Sequence, residues 1–349
     1  MSAGVAITSY RLVETLGGLQ VLTEQSLALL LWRLQRQSAL YILGAGMSTP
    51  VVPLAPALMR RAALDYVQLG SFPAEVPPRT LLTNRIEKAA EGLDYHSGRA
   101  IRPGTDDCSA EILRRLSHGG AFASLMRYIS EQRFVGRRPI NFTVLRAFWP
   151  SPIMNYNLDG LATDASGAHH RIVDVHGSIE GEYGGPSGAA IMRIAQEYGI
   201  EISREDLVLC NPESDTDDRL CRKLKVMQRC NPAFVMIVGY SFAKNETGHD
   251  DQVSLETFVS KFQGFPLDVY VLDPRPFDLA GTLRDRLRTK RVYAVPVYWN
   301  FVAAAFLEVL SGRLGIECLE YFYHLLLDSH GPNVVLPLRL RAGPDKPRN

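Results

Sequence analysis

The feature that most constrains this fold is a succession of short, continuously apolar runs separated by stretches with helical spacing. The runs are the opening of "YILGAGMSTP" at residues 41–50, then "PIMNYN", "HRIVDV", "DLVLC", "AFVMIVGY", "LDVYVL" and "RVYAVPVY". A strand with one face in water alternates apolar and polar residues, whereas an unbroken apolar run needs both faces covered. Helical patterns between several of the runs supply that cover. The expectation is an α/β protein built on a mostly parallel sheet with helices on both faces. A chain of 349 residues that is 46% hydrophobic can bury such a core.

The same reading divides the chain. Residues 1–38 carry helix-spaced apolar positions and are expected to form N-terminal helices. Residues 39–297 hold the sheet, interrupted by an inserted helical lobe over residues 55–148. Residues 298–349 read as C-terminal helices followed by "RAGPDKPRN", a polar, Pro-rich tail expected to be disordered. No internal repeat is visible.

Charge and cysteine content exclude several classes. The 38 basic and 37 acidic residues cancel, so no global field draws the surface to nucleic acid or to membrane. Five cysteines are an odd number in a chain too large to depend on disulfides, which points to a reducing cytoplasm. The run "LALLLW" at residues 27–32 falls far short of the roughly 20 apolar residues of a membrane span, and no targeting segment is read.

In an open parallel sheet ligands bind beyond the carboxyl ends of the strands. Those positions are polar here: Gly44, Gly46 and Ser48; Asn155, Asn157 and Asp159; His176 and Gly177; Gly239, Tyr240 and Ser241; and Asp273. Each has an ordinary explanation beside the functional one. "GAGMS" suits a tight strand-to-helix turn as well as a phosphate loop, and Thr49 stands where a dinucleotide fingerprint needs its third glycine. "NYNLDGL" suits a turn and helix cap, and His176 suits a loop histidine with one backbone hydrogen bond. His169 and His170 match no motif and read as solvated. "HDD" at residues 249–251 reads as a helix start.

Taken in order, "GAGMS", "NYNLDGL", "VDVHGS", "VGYS" and "VLDP" resemble the successive motifs of the Sir2 (sirtuin) superfamily: G-A-G-x-S, T-Q-N-x-D-G-L, an x-L-H-G-S segment, G-x-S, and a strand-end residue for the adenosine ribose. The resemblance spans residues 40–296. It implies a Rossmann-like sheet and an NAD+ site in which Gly44, Ala45, Gly46 and Ser48 form the phosphate loop. Asn155, Gly239 and Ser241 would belong to the cofactor site, with Asp273 near the adenosine ribose. Asn157 would hold the ribose hydroxyls or a water, Asp159 the nicotinamide amide, and His176 would act as general base or ribose partner, its pKa lying near working pH.

The sequence also departs from the deacylating sirtuins. Their zinc is held by two C-x-x-C pairs, whereas this chain offers Cys210, Cys221 and Cys230 at spacings of 11 and 9, so no zinc module is expected. "TPVVPLAPALMRR" replaces G-I-P-D-F-R, and "LVLCNPESD" is no counterpart of the substrate-pairing F-G-E strand. This combination resembles zinc-free bacterial Sir2-like proteins that hydrolyse NAD+ in anti-phage defence. The implied activity is an NAD+ hydrolase, gated by self-assembly or by a separate sensor protein. The alternatives are an NAD-dependent deacylase or ADP-ribosyltransferase, and a non-catalytic subunit that binds NAD+ or ADP-ribose.

Overall fold

The computed structural model describes residues 15–16, 19–21, 24–48, 52, 140–157, 159–166, 170–177, 186–203, 206, 217–242 and 250–312. Among these residues eight strands form one sheet: β1 (Thr15–Leu16), β2 (Leu19–Val21), β3 (Ala39–Leu43), β4 (Pro152–Asn155), β5 (Arg171–Asp174), β6 (Phe234–Val238), β7 (Asp268–Asp273) and β8 (Val292–Pro296). Their order is β1-β2-β8-β7-β6-β3-β4-β5, parallel throughout except for the β1–β2 pair. The expected α/β architecture is therefore present.

Among the described residues the helices are α1 (Glu24–Arg36), α2 (Ile140–Thr143), α3 (Leu161–Ser166), α4 (Pro186–Tyr198), α5 (Asp217–Arg229), α6 (Asp250–Phe262), α7 (Phe277–Leu287) and α8 (Trp299–Leu310). Successive residues of β3 point to opposite faces and explain how they are shared. Ala39, Tyr41 and Leu43 pack with α1, α2, α3 and α8, while Leu40 and Ile42 pack with α4, α5, α6 and α7. All five are fully or almost fully buried. Each large apolar side chain buried this way contributes about 1.5–3 kcal/mol.

Two features differ from the sequence reading. The N-terminal segment is not wholly helical, because residues 15–16 and 19–21 add two strands at the β8 edge before α1 begins. These runs are too short to show a period, and the sheet edge supplies the hydrogen bonds that decide them. His170 is buried, not solvated: its Nδ1 accepts the Ser151 N–H at 3.2 Å, its Nε2 bonds the Leu145 carbonyl, and its ring stands edge-on to Tyr41. The apolar segments "LALLLWRL" and "FVAAAFLEVL" cover the sheet through Leu30, Leu31 and Leu34 on α1 and through Val302, Ala303, Ala305 and Phe306 on α8. "HDD" does open a helix, at Asp250. Residues 140–147 of the expected lobe are helical, and residues 55–139 of it lie outside the described residues, as do "LVLC" and residues 313–349.

Register brings the strand ends level. Leu43 pairs with Asn155 on one side and Val238 on the other, Asn155 pairs with Asp174, and Val238 pairs with Leu272. The chain leaves β3 toward β4 and β5, then returns to β6 on the opposite side of β3. The order therefore reverses between β3 and β6, which is where an open α/β sheet leaves a crevice at its carboxyl edge. At the amino edge Asp268 is clamped by Arg33 and Arg291, each at 2.7 Å, with the Arg33 guanidinium lying over Phe234.

Candidate functional site at the switch point

The backbone turn after β3 is built around contact with β6. The Gly44 N–H donates to Val238 O and the Gly46 N–H to Gly239 O, both at 3.0 Å. A Cβ on Gly44 would lie 2.4 Å from Gly239 O, one on Gly46 would lie 2.8 Å from Gly239 Cα, and one on Gly239, at φ +58°, would lie 2.6 Å from Gly46 Cα. Glycine is required at these positions because two backbones touch. The turn continues as a short 3-10 segment, Ala45–Met47, in which Met47 N–H donates to Gly44 O and Ser48 N–H to Ala45 O.

Beyond β3 and β4 a buried polar network joins three segments. The Ser48 hydroxyl donates to Asp159 Oδ2, and Asn157 Nδ2 donates to Ser48 Oγ at 3.0 Å. Asp159 Oδ1 accepts the Leu161 N–H at 3.0 Å and so fixes the start of α3, which is the turn role open to it in the sequence. Asn155 donates through Nδ2 to Asp174 Oδ1 at 2.6 Å and accepts the Asn157 N–H through Oδ1 at 3.3 Å. Ser48, Asn155, Asn157, Asp159 and Asp174 are all buried. Asn157 Oδ1 has no hydrogen-bond partner among the described residues. A buried amide oxygen left without a donor costs about 1–3 kcal/mol, so its pairing calls for an explanation.

An aromatic group closes the same edge. Tyr156 stacks on Tyr240 with centroids 4.1 Å apart and planes 18° apart, and His176 stands edge-on to Tyr156 at 5.5 Å. Phe242 packs on Tyr240 and holds φ at +49°, a strained conformation for a bulky residue. His176 keeps partial exposure, yet burial, aided by the Lys223 ammonium, lowers its pKa to about 4. The expectation of a pKa near working pH is thus corrected: low-dielectric surroundings and a nearby cation both disfavour imidazolium. The ring is a neutral proton acceptor across physiological pH.

The structure brings Gly44, Ala45, Gly46, Ser48, Asn155, Asn157, Asp159 and Gly239 together at the carboxyl ends of β3, β4 and β6, with His176 beside them across Tyr156. Ser241 follows Tyr240 and is exposed. Asp273 ends β7, two strands from β3, where its Oδ1 accepts the Arg275 N–H at 2.8 Å. Sequence reasoning missed Tyr156, Asp174 and Lys223. Lys223 carried a readable signal, since Leu220, Leu224 and Met227 mark the buried face of α5 and Lys223 falls among them. Of the three thiols weighed for zinc, Cys221 is exposed, Cys230 is buried with its pKa pushed up to about 12 by burial, and Cys210 lies outside the described residues. Among the described residues no three His, Cys, Asp or Glu side chains gather as a metal site, and no helix is long and apolar enough to cross a membrane.

No protein-family model matches this chain, and no curated protein does. Sixteen chains of solved structures are similar to it, two of which are as follows. One comes from work on the structural basis of sirtuin substrate affinity, at 10% identity and a TM-score of 0.38, covering 82% of this chain and 99% of the other. The second is a Sir2–p53 peptide–NAD+ complex, at 11% identity and a TM-score of 0.33, covering 82% and 97%. At such values no residue of this chain takes a role from either.

Proposed function

We propose that this chain is a Sir2-like NAD+ hydrolase whose site is the β3–β6 crevice. The observation that carries the reading is the Ser48–Asn157–Asp159 network, which joins two separately recognised motifs at the switch point and leaves Asn157 Oδ1 as an open acceptor. In this reading the pyrophosphate lies along Gly44–Ser48 and Ser241, and the adenosine ribose lies toward Asp273. The Gly46 and Ser48 N–H groups already bond carbonyls, so backbone contacts to phosphate would require this turn to exchange partners.

The chemistry needs little machinery. The bond between ribose C1′ and the nicotinamide nitrogen breaks, its electron pair leaves with neutral nicotinamide, and positive charge spreads over the ring oxygen and C1′. A water then bonds C1′ and loses one proton. Asn157 Oδ1 accepts a hydrogen bond from that water or from a ribose hydroxyl, and neutral His176 receives the proton. A weak base suffices, because the water becomes acidic as its oxygen bonds to C1′. Asp159, with one oxygen on Ser48 and the other on Leu161, acts by holding the Asn157 loop in place. The enclosed polar setting is preorganised toward the developing charge.

Hydrolysis, not deacylation, is favoured by the absence of G-I-P-D-F-R and F-G-E counterparts from the sequence. We assign no zinc to the chain, and elemental analysis showing about one tightly held zinc per chain would overturn that assignment. We further propose a cytoplasmic setting in anti-phage defence, with activity gated by self-assembly or by a separate nucleotide-binding or ATPase-like sensor, because an ungated NAD+ hydrolase would poison its host. Measuring particle size and nicotinamide release together, with and without the neighbouring gene's product, tests the gate. A monomer that hydrolyses NAD+ rapidly and alone would refute it.

A further inference from the structure

Lys223 is unusual among the charged residues: on the buried face of α5 its side chain is fully enclosed, and Nζ donates to the Val175 carbonyl at 2.9 Å. That carbonyl belongs to the peptide bond whose nitrogen is that of His176. Its apolar neighbours on α5 are Leu220, Leu224 and Met227, so the ammonium is held in a poorly solvated place. Burying an ammonium is costly, and replacing a buried ion with an apolar residue is often neutral or stabilising. A charge retained there calls for another role.

We propose that Lys223 is a positioning residue for His176: its ammonium anchors the Val175–His176 turn and supplies a fixed positive charge beside the imidazole. The turn is tight, with the Gly177 N–H returning to Asp174 O at 3.0 Å and Gly177 at φ +78°. Among the described residues, the titratable and charged groups around His176 are Lys223 from α5, Tyr156 from the end of β4, Tyr240 stacked behind it from the end of β6, and Asp174 on its own strand, hydrogen-bonded by Asn155. Lys223 is the cation of the set, and its charge acts in the same direction as burial in keeping the ring neutral. The part His176 plays in NAD+ cleavage rests on the function proposed above; its coupling to Lys223 does not.

The experiment is an NMR titration of the histidine side chains in the full chain, with His176→Gln identifying the His176 signal. Lys223→Met removes charge and donor, while Lys223→Gln removes the charge and keeps a donor for Val175 O. Both variants should fold, judged by near-UV circular dichroism, and in both the His176 midpoint should rise by about one unit or more while staying below 6.5, since burial remains. The Lys223→Gln variant also guards against misfolding of the Met variant, because it keeps the carbonyl paired. An unchanged His176 midpoint in either folded variant, or a wild-type midpoint near 6.5, overturns the proposal. The readout needs no NAD+, so loss of the hydrolase reading and loss of this one are separate results.

Discussion

Replacing His176 with Gln should remove a specific part of the acid sensitivity of this fold. In the folded chain His176 titrates at about 4, against about 6.5 when unfolded. Between those values the unfolded chain binds a proton that the folded chain does not, so stability falls as pH drops from 6.5 toward 4 and is unaffected above that window. Linkage puts the loss at about 2 kcal/mol at pH 5, with a ceiling of roughly 3 kcal/mol below pH 4. Urea unfolding of the two proteins at pH 7.5 and 5.0 isolates the effect, because every other titrating group is common to both. With an m-value of about 3 kcal/mol/M, the wild-type midpoint should fall by about 0.7 M more than that of the variant. Equal pH dependence in the two proteins would refute the claim that His176 is held neutral by its surroundings.

Two further substitutions probe the scaffold. Gly239→Ala places a methyl group 2.6 Å from Gly46 Cα at a positive φ, and should cost roughly 3 kcal/mol in chemical denaturation while weakening NAD+ binding measured by calorimetry. Asp268→Asn leaves the Arg33 and Arg291 guanidinium groups without their carboxylate, and should lower stability by roughly 3 kcal/mol at pH 7. Burial raises the Asp268 pKa, but the Arg291 and Arg33 hydrogen bonds outweigh it and hold it below the usual carboxylate range. The difference between wild type and variant should therefore persist at neutral pH and shrink as pH falls through that lowered value.

The sheet was legible because its central strands are buried on both faces: Phe234–Val238 and Asp268–Asp273 read as apolar runs with little else in them. The strand ends were legible for the same reason, since Asn155 closes the run at Pro152–Asn155 and Gly239 the run at Phe234–Val238. Strand order was not, because register depends on pairings such as Leu43 with Val238, far apart in sequence. The edge strands at residues 15–21 were hidden by their shortness. His170 was misread because one histidine in a polar stretch gives no hint that Leu145 O and Ser151 N–H await it. The glycine turn was read both as a tight turn and as a phosphate loop; its steric need at Gly239 is a contact only the folded backbone reveals.

The most direct test is nicotinamide release from NAD+ by the full chain without any acylated peptide, measured alone and with the neighbouring gene's product, beside Asn157→Ala and His176→Ala. Release by the parent chain that falls at least 100-fold in both variants, with folding intact, is the result predicted. Release only when an acylated peptide is added, no release under either condition, or equal release by Asn157→Ala would contradict the assignment of the β3–β6 crevice as an NAD+ hydrolase site.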